Sequence, residues 1–158
     1  MMLSIISRSI GYFVVLFLLT ACINQDKTHD CKEYVKAIQK IGEQAASNLQ
    51  VIPLQSKDGY IQLFSSMVDG EKENARIFQS MKLQNSQSKQ IQNEIVKTIE
   101  NIGANQQDKK KIIESLPESS NKESIESALK PLQTSQTILM EKLSKATSNM
   151  DDYCGIKK

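Results

Sequence analysis

The chain has 158 residues with 20 Lys+Arg against 18 Asp+Glu, a formal charge of +2, so nothing in its charge points to nucleic acid or another polyanion as partner. With no tryptophan, four tyrosines and four phenylalanines, its core must be built mainly from Ile, Leu, Val, Met and Ala. Gln, Asn, Ser and Lys dominate the remainder, a composition that suits long amphipathic helices with broad solvated faces.

The first 21 residues have the three parts of an export signal. Arg8 is the only charged residue before Cys22, Ile10 to Leu19 supply ten residues with no charge, and Thr20 and Ala21 are small. The uncharged run has the length of a signal core and is too short to span a bilayer comfortably. Leu19-Thr20-Ala21-Cys22, which closes the run, resembles the lipobox of bacterial lipoproteins. The resemblance covers only the signal and Cys22. It implies cleavage before Cys22 and a diacylglyceryl group on the Cys22 thiol, so that membrane lipid is a partner held through that residue. Two other readings stay open: an ordinary secretory signal cut near Ala21, with Cys22 an incidental thiol, and an uncleaved helical anchor beginning nearer Met2. Buried methylenes contribute about 0.8 kcal/mol each and one chain anchors only marginally, whereas two or three chains hold a protein durably. Ile23 and Asn24 follow Cys22, with no aspartate at the second mature position. By the sorting rule known for enteric bacteria, this favours the outer membrane, on the periplasmic side.

Removing residues 1–21 of 158 leaves 137, enough for one domain. Residues 22–30 read as a polar tether and residues 31–158 as a helical domain. Cys31 and Cys154 lie near the two ends of that domain, and export to an oxidising compartment makes a disulfide between them the expectation. Two free thiols or an intermolecular pair are the alternatives. His29, two residues before Cys31, invites a metal reading. A His-x-Cys pair without further ligands is a weak site, and a disulfide removes Cys31 from ligation. His29 is therefore expected to be exposed between lipid and domain, and Asp151 and Asp152 to be a solvated terminal pair. No metal and no cofactor are expected.

From Cys31 the pattern is helical, with Cys31, Tyr34/Val35, Ile38, Ile41, Ala45 and Leu49 on one face. Pro53 is expected to end this helix, with Val51 to Leu54 an apolar connection tucked against the core. Ser56-Lys57-Asp58 can start a second helix whose buried stripe is Tyr60/Ile61, Phe64, Met67/Val68, Ala75, Phe78 and Met81. Gly70 interrupts the stripe at a cost of about 1 kcal/mol relative to Ala, which a packed helix tolerates, so the helix is read as continuous. Gln84 to Ser88 suit a turn. Ile91, Ile95, Val96, Ile99 and Ile102 form a third stripe, with Gly103 placed as a C-terminal cap. Asp108 to Leu116 read as a separate short helix with Lys109-Lys110-Lys111 in its solvated first turn.

Ser120 to Glu123 resemble a capping box. After it, Ile125, Leu129, Leu132, Gln136, Leu139, Leu143, Ala146, Met150 and Tyr153 follow heptad spacing. Pro131 inside this helix removes one backbone donor and predicts a kink. Short connections and a terminal disulfide favour an intramolecular arrangement over an intermolecular coiled coil. The predicted fold is thus all-α: an antiparallel helical bundle of about four helices, clamped by Cys31–Cys154.

No catalytic constellation is visible. After the signal there is one histidine, and no G-x-S-x-G, glycine-rich phosphate loop, H-E-x-x-H or C-x-x-C. The leading expectation is a non-enzymatic interaction module, tethered to the membrane and binding another envelope protein. The alternative is a carrier of a small apolar ligand, with a pocket between helices near Tyr60, Phe64 and Phe78.

Overall fold

The structure, a computed structural model, describes residues 3–47, 54 and 56–156, with side chains described from residue 25 onward. The lipobox-like segment at Leu19–Cys22 lies outside the described side chains, and Pro53 lies outside the described residues. Four helices follow in order: α1 (Leu3–Ser47), α2 (Lys57–Gln79), α3 (Ser86–Ser115) and α4 (Lys122–Cys154). No strand occurs among the described residues.

Each helix starts where local chemistry provides a partner for free amides. Ser56, in extended conformation, caps α2 by accepting from Gly59 N at 3.2 Å. Asn85 does the same for α3, and Asn121 for α4 by accepting from Ser124 N at 2.9 Å. The cap of α4 thus falls on Asn121, one residue after the Ser120 of the predicted box; an asparagine side chain makes the same bond. α4 ends at Gly155, whose φ of 68° lets Gly155 N and Ile156 N turn back onto the Asp152 and Asp151 carbonyls.

α2 is continuous through Gly70, as the sequence suggests. A Cβ added at Gly70 would meet nothing within 4 Å. Gly70→Ala is therefore expected to stabilise the fold by about 0.5–1 kcal/mol, from helix propensity and reduced freedom of the unfolded chain. A thermal melt that moves down instead would show the position to be constrained by something other than backbone entropy.

α3 corrects the predicted division at Gly103. The helix runs unbroken from Ser86 to Ser115, and Gly103 sits inside it facing α2, where an added Cβ would meet Glu71 Cβ at an ordinary contact distance of 3.5 Å. The lysine triplet then falls inside a helix, not in a first turn, and Lys109 is buried at 4% exposure.

The helices run alternately up and down. Lys57 at the start of α2 donates to Leu116 O at 2.7 Å, at the end of α3, and Gln92 near the start of α3 donates to Phe78 O at 2.6 Å, near the end of α2. Asn105 on α3 reaches Ser135 on α4 at 2.8 Å. α1 packs antiparallel to α4, with Cys31 on Cys154 and Tyr34 on Asp151, one turn further along each helix. α2, α3 and α4 are packed extensively, and α1 makes a lesser contact with α2 and α4.

The core has two apolar clusters. One gathers Tyr34, Ala37, Phe78, Ile91, Ile95, Ile99, Ala146 and Met150; the other gathers Tyr60, Phe64, Ile113, Ile125 and Leu129. Between them α3 places Ile102 and a buried polar group of Asn105, Gln106 and Lys109, in which Asn105 donates to Ser135 and Lys109 to Gln136 of α4. Lys109 Nζ donates to Gln136 Oε1 and lies 5.7 Å from the centre of the Phe64 ring. Burial holds the Lys109 ammonium below its ordinary value. Gln136, the polar member of the heptad, is therefore the acceptor for a buried cation.

The first helix departs most from expectation. Its core face is Asp30, Tyr34, Ala37 and Ile41, while Val35 and Ile38 are exposed at 41% and 43%. Residues 25–30, read as part of the polar tether, continue α1, and Asp30 is fully buried. The physical reason is that Asp30 serves the free amides of α3, which turns α1 about its axis relative to a purely apolar packing. In the connection after α1, Leu54 is exposed at 37% rather than tucked inward.

Candidate functional site

The end of the bundle where α1 meets the last turn of α4 and the start of α3 is the most heavily cross-linked part of the described residues. Cys31 and Cys154 form a disulfide with a Cα–Cα distance of 5.5 Å, joining α1 to α4. One residue earlier, Asp30 accepts from Gln84 N at 2.7 Å, from Asn85 N at 3.0 Å and from Ser88 Oγ at 2.5 Å, joining α1 to the start of α3. A carboxylate here also meets the positive end of the helix dipole. His29 is half-buried, not exposed as expected, with Nε2 2.9 Å from Lys82 O; its position one turn before Glu33 brings it against the α2–α3 connection. Asp151 is likewise not a solvated residue: it accepts from the Tyr34 hydroxyl at 3.0 Å. Burial, and then the Asp151 carboxylate, push the Tyr34 phenol well above its ordinary value.

Outside this staple lies a groove of about 600 Å³. Its floor is the disulfide, its walls include Val35 and Ile156, and Lys27, Lys32 and Lys36 line its sides. No carboxylate lines it. Glu33 does not line it, but it pairs with the groove residue Lys36 at 3.1 Å, which holds the Glu33 carboxyl below the ordinary range. Lys27 stands 5.4 Å from the centre of the Tyr153 ring. Apart from the Thr28 hydroxyl, the side chains lining the groove are apolar or cationic.

A second cleft, of about 370 Å³, lies between α2 and α3, with Val68, Ala75 and Ile99 below and Glu71 and Glu100 at its sides. Burial pushes the Glu71 carboxyl above its usual value, opposed in part by the Asn74 amide. The unfolded carboxyl, with a pKa near 4.5, ionises before the folded one. Ionisation therefore opposes folding as pH rises through and above this window. Glu71→Gln is expected to raise the melting temperature at pH 7 and to leave it unchanged at pH 3.5, where both carboxyls are protonated. Equal shifts at the two pH values would contradict a charge effect.

Tyr60, Phe64 and Phe78, near which the sequence suggests a pocket between helices, line neither of these clefts. All three are buried, and Tyr60 and Phe64 belong to one apolar cluster while Phe78 belongs to the other, 6.4 Å from the Tyr34 ring. Among the described residues there is no group of three or more His, Cys, Asp or Glu side chains placed to hold a metal ion, and no helix long and apolar enough to cross a membrane.

Sequence reasoning missed Asp30, Lys109 and the basic groove. An acidic residue immediately before a helical stripe gives no signal of serving amides at the start of a different helix. The groove could have been glimpsed in the i, i+4, i+5, i+8, i+9 placement of Lys27, Cys31, Lys32, Val35 and Lys36, which puts them on adjoining strips of one helix.

No protein-family model, no curated protein and no solved structure matches this chain.

Proposed function

We propose that this chain is a bacterial envelope lipoprotein, anchored through acylated Cys22 in the outer membrane on its periplasmic side, whose helical bundle works without catalysis as an interaction module for another envelope protein. The observation that carries the reading is Leu19-Thr20-Ala21-Cys22 at the end of an uncharged ten-residue run. The Cys31–Cys154 disulfide supports export, since such bonds persist in oxidising compartments. The exposed apolar side chains Ile138 and Met140, at 47% and 49% on α4, support a role in protein contact. A tether concentrates a weak binder beside its partner, so a modest interface suffices.

In-cell crosslinking followed by affinity capture tests this reading. The native chain is compared with one whose signal is replaced so that the domain is exported without lipid. A stoichiometric envelope protein captured with the native chain and depleted with the untethered one is expected. Capture of nothing from either form would overturn the interaction module. A mass of the peptide beginning at residue 22 without acyl groups would overturn the anchor.

A further inference from the structure

The basic groove lies beside the point of membrane attachment. Lys27 lies five positions after Cys22, a span of about 18 Å if fully extended and about 7.5 Å as helix. α1 is helical over Leu3–Ser47, so the shorter figure applies to the folded chain. We propose that the groove between Lys27, Lys32, Lys36, Val35 and Ile156 is a docking site for the surface of an anionic phospholipid bilayer, which fixes the orientation of the bundle on the membrane. The proposal rests on the lipid tether at Cys22.

Three features favour a lipid surface over other occupants. The groove presents three lysines and no carboxylate, which matches phosphodiester headgroups in sign. The lysines flank exposed apolar side chains, Val35 and Ile156 at 41% each, which is the order of groups met on passing from headgroup to acyl boundary. The sequence continues from Ile156 into Lys157 and Lys158, adding two positive charges to the same end of the chain. Attraction of lysines to an anionic surface acts over about a Debye length, near 8 Å at physiological salt, and a tether this short keeps the groove within reach. Of the carboxylates on the same segment, Asp30 is committed to α3, Glu33 to Lys82 N and to Lys36, whose charge it offsets in part, and the half-buried Asp26 does not line the groove.

The test uses the full acylated chain in vesicles of phosphatidylcholine alone or with one-third phosphatidylglycerol. Amine acetylation is followed at each lysine by mass spectrometry. Lys27, Lys32 and Lys36 are expected to label at least fivefold more slowly in the anionic vesicles. Lys97 and Lys142, exposed elsewhere on the bundle, should label at the same rate in both. Half-molar salt should remove the difference. In a Lys32→Glu/Lys36→Glu chain, whose exposed substitutions leave the core untouched, Lys27 should lose its protection. Equal labelling in the two vesicle types overturns the proposal, as does protection that persists in detergent, the result expected if a second copy of the chain covers the groove. The mass of the Cys22 peptide from the same samples reports the tether separately. An unacylated Cys22 overturns the tether, whereas unprotected lysines on an acylated chain overturn the groove.

Discussion

Replacing Cys31 and Cys154 together by serine is expected to lower the stability of the chain by about 4 kcal/mol, near the upper end of what one disulfide contributes. The bond closes a separation of 123 residues, and by the chain-entropy argument the freedom it removes from the unfolded state grows with the logarithm of that loop. The native side adds to the effect. α1 is the least extensively packed helix, and besides the bond it is held mainly by Asp30, Tyr34, Ala37 and the Gln44–Glu73 contact at 3.1 Å. Urea unfolding followed by circular dichroism should show the double-serine midpoint well below that of the native chain. Reducing the native chain should reproduce the shift. Amide exchange should locate the loss, with residues 25–47 exchanging faster and the centre of α3 changing least. Coincident midpoints for the native and double-serine chains would show that the unfolded state is not constrained by this bond.

The parts of the fold legible in sequence are those set by apolar periodicity. The stripes Ile91–Ile102 and Ile125–Met150 occupy the core, and the Cys31–Cys154 bond, expected from export and position, joins the first helix to the last. What escaped the sequence is set by polar groups whose partners lie far along the chain. Asp30 is 58 residues from Ser88, and its burial turns the core face of α1 away from Val35 and Ile38. Lys109 looks solvated because it stands in a run of three lysines, of which Lys111 is exposed and Lys110 half-buried; only Gln136, 27 residues later, accounts for its burial. Gly103 has the composition of a helix cap, yet its bare backbone faces Glu71, a contact between two helices that no local pattern encodes. For the candidate site, the cysteines were readable singly, but the groove they floor depends on the rotation of α1 that Asp30 imposes.

Asp30→Ala should be a strongly damaging single substitution, with an expected loss of about 3–4 kcal/mol. The alanine leaves Gln84 N and Asn85 N without their acceptor in the partly buried connection into α3, and an unmet amide costs about 1–3 kcal/mol where water does not reach it. Ser88 Oγ is less affected, because it also donates to Asn85 O at 2.8 Å. The favourable contact between a carboxylate and the helix N-terminus, about 0.3–2 kcal/mol depending on burial, is lost as well. Asp30→Asn keeps one acceptor oxygen and should recover about half of the loss. Asp152→Ala, an exposed carboxylate at the other side of the staple, should stay within about 0.5 kcal/mol of the native chain and serves as the control. Chemical unfolding ranks the four proteins, and amide exchange at Gln84 and Asn85 separates loss of the cap from general loosening. An Asp30→Ala chain within 1 kcal/mol of native would mean that water satisfies those amides, and that the orientation of α1 rests on the disulfide and Tyr34 instead.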